Sequence, residues 1–214
     1  MRPVPGEAKQ RGLLVVLSGP SGVGKGTVVA RAMQARSPAA RRLRRSVSVT
    51  TRSPRPEERE GEDYFFRSEV EFQRMAEAGE LLEWATYLDH SYGTPREWVE
   101  GQLEDGYDVV LEIEVQGAMQ VRERRPEAVL IYMLPPSWRA LRRRLAHRRS
   151  ESEEVQQRRL EVARREVNLI PRYDYWICND RVAPAARRFL AILEAEHARV
   201  KRWNVSELIG DTSG

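Results

Sequence analysis

Gly19-Pro20-Ser21-Gly22-Val23-Gly24-Lys25, followed by Gly26 and Thr27, places its three glycines and a lysine at the spacing of a polyphosphate cradle. Such glycines let backbone N–H groups converge on phosphate oxygens, a following helix N-terminus adds positive partial charge, and Lys25 can reach the β and γ positions. Gly26 stands where a Ser or Thr ordinarily offers a hydroxyl to magnesium. No side chain is therefore assigned as a metal ligand, and Mg2+ is expected to be held by nucleotide oxygens and water. Further on, Arg52 and Arg55 are followed by Tyr64 nine residues after Arg55. Two guanidinium forks and a phenol suit a second, isolated phosphate. Glu112 and Glu114 lie two apart in an apolar stretch, which on a strand puts both carboxylates on one side and leaves them in need of partners.

These groups need elements to hold them. Leu13 to Leu17 reads as a strand buried on both faces, immediately before the glycine turn, and Val28 to Ala35 continues as a helix. Asp108 to Ile113, Ala128 to Leu134 and Trp176 to Cys178 repeat the pattern, each followed by a helical stretch. That alternation predicts an α/β fold with a central parallel sheet and right-handed crossovers. Ser46 to Thr50, Tyr64 to Phe66 and Leu81 to Tyr87 predict a small β-rich insert over 46–94. Ser68 with Glu71, and Thr94 with Pro95 and Glu97, read as capping boxes, with Gly79 and Gly106 closing the two helices. An arginine-rich helical stretch follows Pro135-Pro136-Ser137 and is interrupted near Arg149 to Ser152. A last helix is expected from Pro184 to Trp203, with mobile tails at 1–11 and 205–214.

The chain has 214 residues, 41% apolar and 32% charged. That predicts one domain with an ordinary core, and no apolar run is long enough to span a bilayer. The start carries no hydrophobic signal region, so a soluble cytoplasmic protein is expected. Cys178 is a lone cysteine, most simply a buried apolar residue, and His90, His147 and His197 have no zinc spacing. The net charge of +4 divides unevenly. Residues 31–60 and 139–165 each carry +6, and the remainder carries −8. Two arginine-dense segments therefore sit on an acidic body, and each needs an anionic partner, with nucleic acid among the possibilities for a basic protein.

The cradle, Ser46-Val47-Ser48-Val49-Thr50-Thr51-Arg52 through Tyr64, Leu82-Glu83-Trp84-Ala85, Tyr92-Gly93-Thr94, Leu111-Glu112-Ile113-Glu114 with Gln116-Gly117, and Pro135-Pro136-Ser137 together resemble a guanylate kinase over about residues 12–204. The resemblance implies a three-layer P-loop kinase fold with a core over 12–45, 95–138 and 166–204, a GMP-binding insert over 46–94 and an arginine-rich lid over 139–165. It implies ATP and GMP, and also dGMP, as substrates, Mg2+ with ATP, and a monomer or homodimer without nucleic-acid polymer or membrane partners. Catalysis falls to Lys25, Arg52, Arg148 and Arg159. The ATP site takes Gly19 to Thr27, with Arg144 against adenine and Asn179 either on adenine or capping the next turn. Arg52, Arg55, Tyr64 and Tyr92 would hold the GMP phosphate. Ser48 and Thr94 would offer hydroxyls to guanine O6 or N7, and Glu83 a carboxylate to its N1–H and 2-amino donors. Either Glu112 or Glu114 would contact guanine while the other organises water and metal.

Three other readings use the same residues. A silent guanylate-kinase-like module would predict a degraded cradle and lid, whereas Lys25, Arg148 and Arg159 are present. A nucleic-acid binder would use the arginine-rich helix without ATP. A kinase for AMP, CMP or UMP is the nearest rival, and Glu83 in its Leu-Glu-Trp-Ala setting argues against it. Closure of insert and lid over both nucleotides would keep water from the phosphoryl group.

Overall fold

In the computed structural model, which describes residues 10–87, 89–146 and 153–203, β1 (Leu14–Ser18) runs through the glycine turn into α1 (Lys25–Met33), and then α2 (Pro38–Arg42) and β2 (Leu43–Arg45) follow. The insert contributes β3 (Ser48–Thr50), β4 (Tyr64–Phe66), α3 (Glu69–Glu77), β5 (Leu81–Tyr87) and β6 (His90–Pro95). After it come α4 (Arg96–Glu104), β7 (Asp108–Glu112), α5 (Val115–Arg124), β8 (Val129–Leu134) and α6 (Trp138–Ala146). The chain ends in α7 (Glu153–Glu166), a 3-10 turn over Val167–Arg172, β9 (Tyr175–Cys178), α8 (Val182–His197) and a short 3-10 turn over Val200–Arg202.

Among the described residues, β2-β7-β1-β8-β9 form a five-stranded parallel sheet. Side-chain alternation builds a core on each face. Val15, Leu17, Val110, Ile131 and Met133 pack under α1, α2 and α8, while Leu14, Val16, Val109, Leu111 and Leu130 pack under α4 and α5. Two covered faces explain why these strands read as unbroken apolar runs. A second sheet of order β4-β3-β6-β5 is antiparallel except for the β3–β4 pair. Val49, Phe72 and Leu81 fill its own small core beneath α3. No helix among the described residues is long and apolar enough to cross a membrane.

Several local expectations hold. Ser68 and Glu71 form the reciprocal capping box of α3, and Gly79 and Gly106 close α3 and α4 at positive φ. The interruption expected near Arg149 to Ser152 falls within 147–152, outside the described residues, between α6 and α7. Others are corrected. The Thr94 capping box does not form: Pro95 is the residue before α4, without a side-chain cap, because Thr94 is still on β6 with its hydroxyl turned inward to Glu83. Glu112 and Glu114 do not share a strand face, since β7 stops at Glu112 and Glu114 is the residue before α5. The last helix ends at His197, where the chain turns so that Trp203 Nε1 donates to the His197 carbonyl at 2.9 Å. Cys178 is half-buried rather than buried. Gln10 and Arg11, expected in a mobile tail, contact His197 and Glu100. The expected tails at 1–9 and 205–214 lie outside the described residues.

Candidate active site

The glycine turn joins a buried strand to a helix at the carboxyl edge of the parallel sheet, the usual place for a ligand in such a fold. Gly24 has φ +96°, and a β-carbon there would meet Asn179 Nδ2 at 2.7 Å, so only glycine satisfies both the turn and its neighbour. Lys25 Nζ donates to the Gly19 carbonyl at 2.6 Å, which aims the ammonium back across the mouth of the loop. Val23, between the glycines, is fully buried, and its carbonyl accepts from Asn179 Nδ2 at 2.8 Å and Arg144 Nη1 at 3.1 Å. Arg144 also donates to the Asn179 carbonyl. Arg144 and Asn179 thus prop the phosphate loop from behind. Arg159 on α7 donates to Ser21 Oγ at 2.9 Å, bringing a lid arginine onto the loop itself. Pro20 accepts from the Val23 amide in the same turn, and Gly22 packs its α-carbon under Leu145 of α6. Gly26 and Thr27 line a cleft of about 620 Å³ with Lys25, Arg144, Glu112 and Glu114. Arg148 lies outside the described residues.

Across Glu112 and Glu114 the cleft meets a second cavity of about 220 Å³, lined by Ser48, Tyr64, Glu83, Tyr92 and Gly117 among others. Glu83 on β5 is its least ordinary group, a carboxylate only 5% exposed. Thr94 Oγ1 donates to Glu83 Oε1 at 2.7 Å, and Arg124, which ties α5 to the Leu82 carbonyl at 2.7 Å, adds a nearby positive charge. Burial outweighs both and lifts the Glu83 carboxyl to about 7. Gln120 fixes the same strand by bonding both the amide and the carbonyl of Trp84.

The arginine loop has an internal stand-in for phosphate. Arg52 Nη2 donates to both Glu58 oxygens, at 2.8 and 2.9 Å, and its guanidinium lies 5.4 Å from the Tyr64 ring centre. The Glu58 hydrogen bonds raise Arg52 further above its ordinary range, and Arg52 in turn lowers the half-buried Glu58 carboxyl. Arg55 also gives its amide to Glu58, at 2.8 Å. Tyr92 meets Tyr64 edge to face, with ring centres 6.3 Å apart. The sheet therefore brings Ser48, Arg52, Tyr64, Glu83, Tyr92 and Thr94 around one space, with Arg55 at its exposed margin. Glu58 had no motif to betray it; only its closeness to Arg52 and Arg55 reveals it.

Glu112 and Glu114 line the cleft with Lys25, and Glu166 lies near enough to feel the charges of Lys25 and Glu114. Glu112 is raised by burial against the pull of Arg45 and Lys25. Glu166, at the end of α7, is lifted to about 7 by burial and by Glu114, and Lys25 opposes the shift. Sequence spacing had not picked out Glu166, since it falls in a helical arginine run.

The raised Glu83 predicts a pH effect. In the empty protein its carboxyl is protonated below about pH 7. Because that value lies above the ordinary one, the stability it confers is present at low pH and fades as pH rises from about 4.5 to about 7. A ligand donating two N–H groups to Glu83 favours the ionised form, so binding should release a proton. Calorimetry at pH 6.5 in buffers of different ionisation enthalpy is expected to show more proton release with the wild type than with Glu83→Gln. Equal release would mean that Glu83 does not meet the base.

A glycine turn ending in Lys25 on a parallel sheet, a second small sheet with Arg52 beside Tyr64, and Arg159 reaching the turn from α7 match the P-loop nucleoside monophosphate kinases as a class. The profile of the family described as Guanylate kinase matches residues 11–196. A guanylate kinase of Halalkalibacterium halodurans is 47% identical over 194 residues, covering 91% of this chain and 93% of its own. One from Streptococcus thermophilus is 50% identical over 193 residues, covering 90% and 91%. The crystal structure of guanylate kinase from Anaplasma phagocytophilum superposes with a TM-score of 0.71 at 34% identity, covering 90% of each chain. The chain belongs to the guanylate kinase family.

Proposed function

We propose that the protein transfers the γ-phosphoryl group of ATP to GMP, and to dGMP, giving ADP and GDP. The observation that carries this reading is the buried Glu83 carboxylate held by Thr94 in the acceptor cavity. Guanine presents N1–H and a 2-amino group beside O6, so a carboxylate there pairs with guanine and faces unmatched groups in adenine. The acceptor phosphate would take Arg52 from Glu58, with Arg55, Tyr64 and Tyr92 around it. Ser48 or Thr94 would meet O6 or N7.

In phosphoryl transfer an enzyme chiefly positions the groups and neutralises charge on the migrating one. A phosphate oxygen of GMP is already nucleophilic, so no general base is required. Lys25, poised on the Gly19 carbonyl, moves to the β and γ oxygens, and Arg159 moves from Ser21 Oγ to the transferred group. Arg148 is assigned with it by family resemblance. Arg144 and Asn179 keep the loop in shape from behind, with adenine against the same region.

Magnesium fits this cleft as a passenger on the nucleotide. The described residues contain no cluster of three ligating side chains. Glu112 Oε1 is nonetheless a buried oxygen without an aligned hydrogen-bond donor among the described residues, its nearest cation being Arg45 Nε at 2.8 Å, and Glu114 lines the same cleft. Those two hard oxygen donors would hold the ion's waters. When bound, the ion neutralises phosphate charge.

The deciding assay is ADP formation from ATP with GMP, dGMP, AMP, CMP and UMP as acceptors. GMP is expected to exceed AMP in kcat/KM by about 10³ or more, as for a site that hydrogen-bonds one base edge. A preference for AMP would overturn the assignment.

A further inference from the structure

Arg45 lies in the first arginine-dense segment without a role read from the sequence, yet it borders both the donor cleft and a neighbouring cavity of about 240 Å³ that shares Ser48, Tyr64 and Glu112 with the acceptor cavity. β2 runs parallel to β7 with Arg45 level with Val110, so the side chain reaches Glu112 two residues further on. Arg45 Nε lies 2.8 Å from Glu112 Oε1. The contact is close but poorly aligned, because that same oxygen has no hydrogen-bond donor among the described residues. The Glu112 side chain is 10% exposed and that of Arg45 is 62% exposed, so the carboxylate is fixed and the guanidinium faces the open cleft. Gly26 makes the room. A β-carbon there would lie 3.2 Å from Glu112 Oε2 and 3.8 Å from Arg45 Nη2. Arg45 borders the donor cleft with Lys25 and also the acceptor side with Ser46 and Tyr64.

We propose that Arg45 is a phosphate-binding residue that changes partner. It neutralises Glu112 while the donor site is empty and turns to the acceptor phosphate once the metal-bearing nucleotide is in place. Donor binding thereby tightens GMP binding. A single carboxylate does not serve two cations well, because they repel each other across it. An exposed guanidinium loses little on leaving a misaligned pair, and a phosphate offers it a matched fork. The coupling is reciprocal, so GMP tightens donor binding by the same factor.

This inference rests on the proposed function, and the test separates the two. GMP is titrated calorimetrically into the wild type and Arg45→Gln, each with and without saturating Mg-ADP, which cannot phosphorylate GMP. In the wild type, Mg-ADP is expected to tighten GMP about five- to tenfold. In Arg45→Gln the factor should fall below about two, with GMP affinity in the absence of Mg-ADP within about twofold of the wild type, and Arg45→Lys should restore part of the coupling. Undiminished tightening in Arg45→Gln, or none in the wild type, overturns the proposal. So does a loss of GMP affinity that is as large without Mg-ADP as with it, since that describes a permanently engaged ligand. A wild type that binds no GMP at all strikes the proposed function itself.

Discussion

Gly117→Ala is expected to lower kcat/KM for GMP by about 10²–10³, on the scale set by charged hydrogen bonds to one base edge, while Mg-ADP affinity stays within about twofold. Gly117 lies in the first turn of α5, and a β-carbon built on it would sit 2.4 Å from Glu83 Oε2, 3.2 Å from Glu83 Cδ and 3.3 Å from Ile113 Cδ1. The obstructed group is the end of a side chain, so the backbone can stay in place and the carboxylate must move. Its displacement takes the acceptor from the guanine edge and strains the bond from Thr94. The fold has a compensation, because alanine favours a helix over glycine by about 1 kcal/mol. The melting temperature should therefore fall little while guanine selectivity collapses. Steady-state kinetics with GMP and AMP decide the matter, and a KM for GMP within twofold of the wild type would remove Glu83 from the base-reading role.

Lys25→Met is expected to reduce kcat by about 10³, the scale associated with removing a preorganised cation from phosphoryl transfer. The methionine keeps the length of the stem and discards the charge. In the empty protein the substitution removes the bond from Nζ to the Gly19 carbonyl, while the loop retains its props from Asn179 and Arg144 on the Val23 carbonyl. On the proposed reading GMP binds across the cleft, so its KM should change by less than about threefold. The opposite split, with KM raised and kcat preserved, would make Lys25 a ground-state ligand rather than a stabiliser of the migrating group.

The phosphate loop is legible in the sequence because its chemistry is contiguous: strand, glycines, lysine and helix follow one another. The parallel sheet is legible for a related reason, since strands covered on both faces cannot hide their apolar runs. β2 and β6 were not, because Leu43-Arg44-Arg45 and His90 to Pro95 carry little apolar alternation and take their shape from neighbouring strands. Thr94 shows the limit most clearly. Its local context spells a helix cap, and a buried carboxylate eleven residues away claims the hydroxyl instead. Arg45 meets Glu112, and Gly117 meets Glu83, through close approaches between distant segments that no local pattern encodes, whereas Glu58 is near Arg52 and Arg55 in sequence but carries no motif. Glu112 and Glu114 both line the cleft, though the strand expected to carry the pair ends between them and each comes from a different element.

The Glu58 fork on Arg52 bears on a different problem, that of abundant small anions in the surrounding solution. Free inorganic phosphate or sulfate reaching the acceptor loop has to displace a bidentate carboxylate with nothing but its own charge to offer. A nucleotide arrives with a base that Glu83 can engage at the same time, and that second attachment offsets the cost of opening the pair. If the loop is the acceptor-phosphate site, it would be selective before any catalytic step, refusing lone oxyanions that match its arginines as well as GMP does.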